Sequence, residues 1–154
     1  MDYPYKINLR FPGNLEYIPS IRKFVYDILQ LSGFSNKFAF RSEIIVDEIC
    51  NNAVCYGCES NDSEIEFCCE IHYDRIEVVI KDEGGNPLHI DRLKNAVKQY
   101  RPGVKVLESG LGLNLVRMLS EKVEFDIDEQ NLTSVHITRK REITGDNTTR
   151  RKKS

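Results

Sequence analysis

Residues 47–53 read DEICNNA and decide the fold, because they place two asparagines inside a segment that otherwise has the composition of a good helix. Each asparagine costs roughly 0.6 kcal/mol relative to alanine in a helix interior. Glu48 and Asn52 are four residues apart and therefore project from the same helix face. A carboxylate and a carboxamide on one face offer the hard oxygen ligands that Mg²⁺ prefers. Taken alone, the pair is also compatible with a solvated polar face.

The segments around this helix have clear apolar periodicity. Alternation over residues 5–11 predicts a strand, and apolar residues at positions 18, 21, 25, 28 and 29 predict a helix that Ser32-Gly33 ends. Ser35-Asn36 is a capping signal for the second helix, which continues through the apolar residues Phe40, Ile44, Ile45 and Ile49 to about Gly57. Residues 64–73 and 76–81 predict a β-hairpin with its turn at Asp74-Arg75.

The C-terminal half predicts two more helices and two more strands. We expect a short helix over 89–98, a connection over 99–110, a helix marked by leucines 111, 115 and 119 and by Met118, and strands over 123–128 and 134–138. Helices grouped among hairpin-connected strands predict an α+β, two-layer sandwich with a mixed or antiparallel sheet and helices on one face. We assign residues 1–141 to one domain. Residues 142–154 are predicted to be a disordered basic tail, with a nucleic-acid or partner contact as the alternative.

Composition limits the functional classes. The chain has 154 residues and a net charge of −2, which gives no overall attraction for nucleic acid. It has no apolar run of membrane-spanning length and no N-terminal signal pattern, so we expect neither a membrane protein nor a secreted one. Five cysteines, an odd number, suit a reducing cytoplasm better than a disulfide framework.

The cysteines and histidines suggest other chemistry less clearly. A zinc or redox site using Cys55, Cys58 and the pair Cys68-Cys69 is one interpretation, and buried thiols are the other. Adjacent cysteines in a strand point to opposite faces, which disfavours a shared metal. The three histidines, His72, His89 and His136, fall in separate predicted elements and do not suggest a catalytic cluster.

Two glycine-rich segments lie within the C-terminal half. Residues 82–85 read DEGG after an apolar strand, where glycines let the backbone approach a flat ligand and an aspartate can accept a hydrogen bond from an exocyclic amine. Residues 109–113 read SGLGL before an apolar helix, where unpaired backbone N–H groups and the helix dipole favour an anion. Each segment alone is a weak signal, and the first is equally compatible with an ordinary turn.

Together and in this order, the three segments resemble the ATP-binding superfamily that gyrase, heat-shock chaperones and histidine kinases share. Glu48 with Asn52-Ala53 is similar to its N box, Asp82-x-Gly84 to its first glycine box, and Gly110-x-Gly112-Leu113 to its second. Within this superfamily the chain most resembles bacterial anti-sigma factor serine/threonine kinases, over about residues 5–140. The resemblance implies the histidine-kinase-like ATPase fold of the Bergerat type.

The resemblance also implies a role for each matching residue. Glu48 would act as the general base toward a serine hydroxyl, and Asn52 would hold Mg²⁺ against the triphosphate. The remaining residues would bind ATP. Asp82 would accept a hydrogen bond from the adenine amine, Thr133 would also contact the adenine, and Gly84 would leave space beside the base. Gly110 and Gly112 would contact the phosphates, as would Lys105 and Arg101 from a mobile connection. For Lys105 and Arg101, a solvated surface position is the alternative.

Two positions depart from the superfamily pattern. Tyr56 stands where a histidine is usual, and Asn86 replaces a further glycine of the first glycine box. The change at Asn86 is common in the anti-sigma branch, whereas Tyr56 affects the rim of the pocket.

The implied function is an ATP- and Mg²⁺-dependent serine kinase that phosphorylates an antagonist (anti-anti-sigma) protein and sequesters a sigma factor. The implied localisation is cytoplasmic, with no direct nucleic-acid or membrane partner, and a homodimer is compatible with the resemblance. The alternatives are a nucleotide-sensing binding module of the same fold without kinase turnover, and an unrelated scaffold whose motifs are incidental.

Overall fold

The computed structural model of the chain describes residues 2–58, 60, 62–84, 88, 91, 95, 112–130 and 132–142. Within these residues, five strands form one sheet in which every neighbouring pair is antiparallel. The strands are β1 (Tyr5–Pro12), β2 (Glu64–Ile71), β3 (Arg75–Asp82), β4 (Lys122–Ile127) and β5 (Thr133–Lys140). Their order across the sheet is β1-β2-β3-β5-β4. The predicted α+β class is confirmed, and the sheet is purely antiparallel rather than mixed.

Three α-helices are described: α1 (Ile18–Leu31), α2 (Asn36–Gly57) and α3 (Leu113–Met118). A one-turn 3-10 helix, Leu15–Tyr17, precedes α1. Gly33 adopts a left-handed φ of 82° and ends α1 as predicted, with Phe34 donating to the carbonyl of Leu29 at 3.0 Å. The Ser35 hydroxyl accepts a hydrogen bond from the Phe38 N–H at 3.1 Å, which caps α2. Among the described residues, no helix combines the length and apolar character needed to cross a membrane.

The core lies between the helices and one face of the sheet. Alternate residues of β2 and β3 are buried on this face, including Ile65, Phe67, Ile76 and Ile80. The buried stripe of α1 consists of Ile18, Ile21, Val25 and Leu29, as the sequence predicted apart from Ile28, which is only partly buried. The opposite face of the sheet carries the polar alternate residues and is called the open face below.

Several predicted boundaries and burials were wrong. The second helix buries Phe38 rather than Phe40, whose side chain is 57% exposed. The strand predicted over 64–73 ends at Ile71, and Arg75 begins β3 instead of forming the turn, since the His72 N–H donates to the Arg75 carbonyl at 2.9 Å. The predicted helix over 89–98 and the connection over 99–110 lie outside the described residues, apart from positions 91 and 95, which are helical.

Arg139 of β5 is a core residue despite its charge. It is 4% exposed, and its guanidinium lies 4.2 Å from the centre of the Phe38 ring. Its Nε donates to the carbonyl of Leu119 at 2.7 Å, while Nη1 donates to the Phe38 carbonyl at 2.9 Å and to Ser42 Oγ at 2.5 Å. Burial lowers the pKa of this guanidinium to about 10. Arg139 therefore joins the start of α2, the end of α3 and β5.

Candidate functional site

The asparagines of α2 have different environments. The Asn51 Nδ2 donates to the Asp47 carbonyl one turn earlier at 2.7 Å, so its amide is hydrogen-bonded within the helix. Asp47 in turn accepts from the Arg22 guanidinium of α1 at 3.1 Å. Asn52 is half-buried one turn beyond Glu48, as the four-residue spacing predicted. Asn51 and Asp47 are thus part of the α1–α2 packing, and Glu48 and Asn52 supply the remaining polar groups of this stretch.

The Glu48 carboxylate lies against Gly112, the N-cap residue of α3. A Cβ added at Gly112 would overlap the Glu48 carboxylate, and the backbone there is left-handed, with φ of 63°. Glycine is therefore required at position 112 both by conformation and by space. Loss of hydration raises the pKa of the Glu48 carboxyl, and the neighbouring charge of Asp47 raises it further. This contact joins the helix motif to the second glycine segment.

Asp82 ends β3 and turns its carboxylate toward the other end of α2. Gly57, the last residue of α2, has no room for a Cβ because the Asp82 carboxylate occupies that space. Burial raises the pKa of the Asp82 carboxyl to about 6, even though hydrogen bonds from the Gly84 N–H, at 2.8 Å, and from Thr133 oppose this rise. Thr133 is buried and pairs with Asp82 across the β3–β5 ladder. The first glycine segment and the closing strand therefore meet at the end of α2.

The structure thus brings six of the eight predicted residues together along α2. Glu48 and Gly112 lie near its middle, with Asn52 one turn further on, while Asp82, Gly84 and Thr133 lie beside its last residue. Gly110 and Lys105, together with Arg101, lie outside the described residues. The three segments that the sequence singled out do converge on one helix.

Comparison with known proteins identifies the family. A family model described as the histidine kinase-like ATPase domain matches residues 11–139. The chain belongs to this family. It is 30% identical to the serine-protein kinase RsbW of Bacillus licheniformis over 148 residues, which cover 93% of this chain and 91% of that protein. It is 28% identical to the RsbW of Bacillus mycoides over 127 residues, which cover 80% and 79% of the two chains.

A solved structure shows the same fold. The nucleotide-free catalytic domain of the histidine kinase ThkA superposes with a TM-score of 0.51 at 16% sequence identity, covering 88% of this chain and 98% of that domain. The resemblance to a histidine-kinase-like ATPase domain is therefore confirmed, and the chain is an ATPase-type domain of the kind that binds ATP.

The geometry of this ATPase-family domain is suited to phosphoryl transfer. A carboxylate of raised pKa is a better proton acceptor near neutral pH than an ordinary glutamate. Glu48 and Asn52 provide the side-chain oxygens that a hard cation would use, and the backbone of Gly112 approaches the Glu48 carboxylate closely. Phosphoryl transfer needs positioning and charge neutralisation; these groups offer fixed positions, whereas neutralising the phosphates would require a cation.

Gly57 has a second role that the sequence did not predict. It ends α2 as predicted, and its lack of a side chain also allows the Asp82 carboxylate to lie against the helix backbone. No local signal distinguishes a glycine that ends a helix from one that makes room for a distant side chain. Only the approach of β3 to α2 gives Gly57 its second role.

Among the described residues, no cysteine belongs to a group of three side chains that could bind a metal ion. Cys50 and Cys69 are buried, and burial raises the pKa of both thiols to about 12. Cys68 points to the open face, opposite Cys69, as predicted. Cys55 is exposed, so the expectation of buried thiols is wrong there. Cys58 is partly buried, and burial is the main cause that raises its pKa to about 11.

Proposed function

We propose that the protein is an ATP- and Mg²⁺-dependent serine kinase that phosphorylates an antagonist protein and, in its other state, sequesters a sigma factor. The relatives that carry the name serine-protein kinase match nearly the whole chain at up to 30% identity among those compared. We place this activity in the cytoplasm, where the five unpaired cysteines would remain reduced.

One observation carries the proposal: the Glu48 carboxylate lies against Gly112, the residue that immediately precedes α3. If the start of α3 faces the transferred phosphoryl group, this carboxylate lies within reach of a hydroxyl that attacks there. Glu48 would accept the proton of that serine hydroxyl. Its raised pKa supports this role, because a general base works best when its pKa is near the operating pH.

The other residues would hold the nucleotide. We assign Asn52 to Mg²⁺, Asp82 to the adenine amine, Gly84 to the space beside the base, and Thr133 to the adenine through its contact with Asp82. Gly112, with Gly110 and Lys105, would contact the phosphates. The position of Asp82 supports its assignment, since a half-buried carboxylate at a strand end binds a donor group more strongly than a solvated one.

The decisive experiment incubates the protein with γ-labelled ATP, Mg²⁺ and a candidate serine-bearing antagonist protein. We expect label transfer to the antagonist, and loss of at least about 100-fold in rate for Glu48→Gln, the lower limit of a general base's contribution. Glutamine keeps the shape that fits against Gly112, so the fold is retained. Glu43→Gln, which removes a half-buried carboxylate from the same helix, is the matched control and should phosphorylate at the parental rate.

The outcomes separate the two candidate functions. ATP binding by the parent without transfer to any antagonist tested would favour the nucleotide-sensing module. Transfer at an unchanged rate by Glu48→Gln would show that Glu48 is not the base.

The role of Asn52 is tested by calorimetry. Asn52→Ala should remove the Mg²⁺-dependent part of ATP affinity, because the carboxamide oxygen is its proposed ligand. Affinity that responds to Mg²⁺ as the parent does would contradict this assignment.

A further inference from the structure

Two carboxylates face each other on the open face of the sheet. The β2–β3 register places Glu70 directly opposite Glu77, and both side chains are about one quarter exposed. Like charges directly opposite each other in an antiparallel pair are destabilising. Lys6, across the β1–β2 ladder, contacts only one oxygen of the pair, Glu70 Oε2, at 3.2 Å. Lys6 therefore does not neutralise the second oxygen of Glu70 or the carboxylate of Glu77, which contact other side chains.

His72 lies between these two carboxylates. Its Nε2 is 2.9 Å from Glu70 Oε1 and 3.2 Å from Glu77 Oε2, and its side chain is only 15% exposed. The hydrogen bond from the His72 N–H to the Arg75 carbonyl fixes its backbone in the tight turn between the strands. A single Nε2 proton is shared poorly between two acceptors, whereas a cation placed among the three atoms is bound by all of them. We call Glu70, His72 and Glu77 the hairpin cluster.

The dimensions of the hairpin cluster suit a small transition-metal ion. The three ligand atoms lie within 4.8 Å of one another. A tetrahedral zinc ion with bonds of about 2.0–2.1 Å separates its ligands by about 3.3 Å, so the two short distances to His72 need to change by only a few tenths of an ångström. A ligand set with an imidazole and two carboxylates favours Zn²⁺ over Mg²⁺ or Ca²⁺, which take oxygen ligands.

A second histidine approaches the same place from β5. His136 Nε2 lies 3.9 Å from Glu77 Oε1, and within the described part of the chain this buried atom has no hydrogen-bond partner. His136 pairs with Val79 of β3, two residues along the strand from Glu77 and on the same face. The two histidines are 64 residues apart in sequence, which is why they appeared unrelated before the sheet was known.

We propose that the hairpin cluster binds a divalent transition-metal ion, with Zn²⁺ as the expected ion and with His136 or water completing its coordination. The ion would neutralise the facing carboxylates and join both ends of the β2–β3 turn. The site lies on the open face, whereas the proposed nucleotide site lies along α2 on the other side of the sheet. Its test is therefore independent of the kinase function.

The test measures Zn²⁺ affinity by competition with a chromogenic chelator, without nucleotide. Thiols also bind zinc, so all measurements use a background in which the cysteines that are not fully buried, Cys55, Cys58 and Cys68, are replaced by serine. We expect one equivalent of Zn²⁺ in this background. Affinity should fall at least about tenfold in His72→Ala and in Glu77→Gln, as removal of a ligand should cost no less than removal of a residue that supports one.

Two comparisons make the test decisive. Glu66→Gln removes a carboxylate from the same face of β2 and should leave the affinity within about twofold, because Glu66 pairs with Arg10 away from the cluster. Glu77→Gln removes the facing charge, so without zinc its melting temperature should be no lower than that of the background, which excludes misfolding as the cause of lost binding. At one Zn²⁺ concentration, the melting temperature should rise in the background protein and in Glu66→Gln, and should rise less in His72→Ala and Glu77→Gln. Absence of binding in the background, or equal affinity in all variants, would overturn the proposal.

Discussion

Asp82→Asn is expected to make the unliganded protein more stable at neutral pH and to weaken its binding of ATP. Burial raises the pKa of the Asp82 carboxyl from 3.8 to about 6. The folded protein therefore holds this proton more tightly than the unfolded chain does. Ionisation of Asp82 therefore lowers the free energy of unfolding. This loss of stability is absent well below pH 4, grows between about pH 4 and pH 6, and is constant at higher pH.

The magnitude follows from these two pKa values. Their difference is slightly more than 2 pH units, which corresponds to about 3 kcal/mol of lost stability at pH 7.5. At pH 4.5 the same two values leave a loss of only about 1 kcal/mol. Asparagine has the same shape without the charge, and its oxygen can still accept the Gly84 N–H. We therefore expect a gain of about 1–3 kcal/mol at pH 7.5 that shrinks to about 1 kcal/mol or less at pH 4.5.

Urea unfolding at the two pH values measures this change. The m-value should be unchanged, so that a shift in midpoint reports stability. Asp126→Asn, at an exposed position on β4, is the matched control and should change stability by no more than about 0.5 kcal/mol. For the nucleotide, calorimetry at pH 7.5 with Mg²⁺ should show ATP affinity at least about tenfold weaker, because a hydrogen bond to a charged acceptor contributes about 1.5–3 kcal/mol.

Two results would refute different parts of this reasoning. A variant that is less stable at pH 7.5, or whose gain is the same at pH 4.5, would show that the folded protein does not oppose ionisation of Asp82. A variant that gains stability as expected but binds ATP like the parent would leave the burial argument intact and exclude Asp82 as the adenine contact.

Three further predictions concern packing. Gly112→Ala should lower stability by at least about 1 kcal/mol in urea unfolding, since it forces a left-handed φ on alanine and a Cβ onto Glu48; a loss below about 0.5 kcal/mol would contradict the contact. Arg139→Met should cost about 2–4 kcal/mol by removing the hydrogen bonds of a charged donor to the carbonyls of Leu119 and Phe38, while Lys140→Met at the exposed neighbouring position should be nearly neutral. A thiol reagent followed by peptide mass mapping should modify Cys55 first, and early modification of either fully buried cysteine would contradict their burial.

The sequence was most informative where chemistry and periodicity agreed. The spacing of Glu48 and Asn52 predicted a shared helix face, and the glycine segments predicted where distant parts of the chain meet that helix. The contact of Gly112 with Glu48 and that of Asp82 with Gly57 bring those segments together. Their convergence was predictable because paired asparagines in a helix interior oppose the local propensity, and such local conflicts are expected at functional or strained sites.

Other features could not be predicted from the sequence. Arg139 stands between charged residues at the end of a strand, and its burial depends on the carbonyls that α2 and α3 present to it. Phe40 and Phe38 are both compatible with the apolar pattern of α2, and the position of the sheet decides which is buried. The hairpin cluster depends on strand register, which a single chain does not reveal through periodicity alone.

The short helix α3 has six residues and is held at both ends by side chains from other elements. The Glu48 carboxylate contacts Gly112, just before the helix, and Arg139 donates to the carbonyl of Leu119, just after it. A helix this short has little stability of its own, so its orientation depends on contacts with the rest of the protein. A substitution at Ser42, which accepts a hydrogen bond from the Arg139 guanidinium, would therefore act on the end of α3 without contacting Glu48 or Asp82. Through this hydrogen bond, a residue of the core is coupled to the short helix that begins beside Glu48.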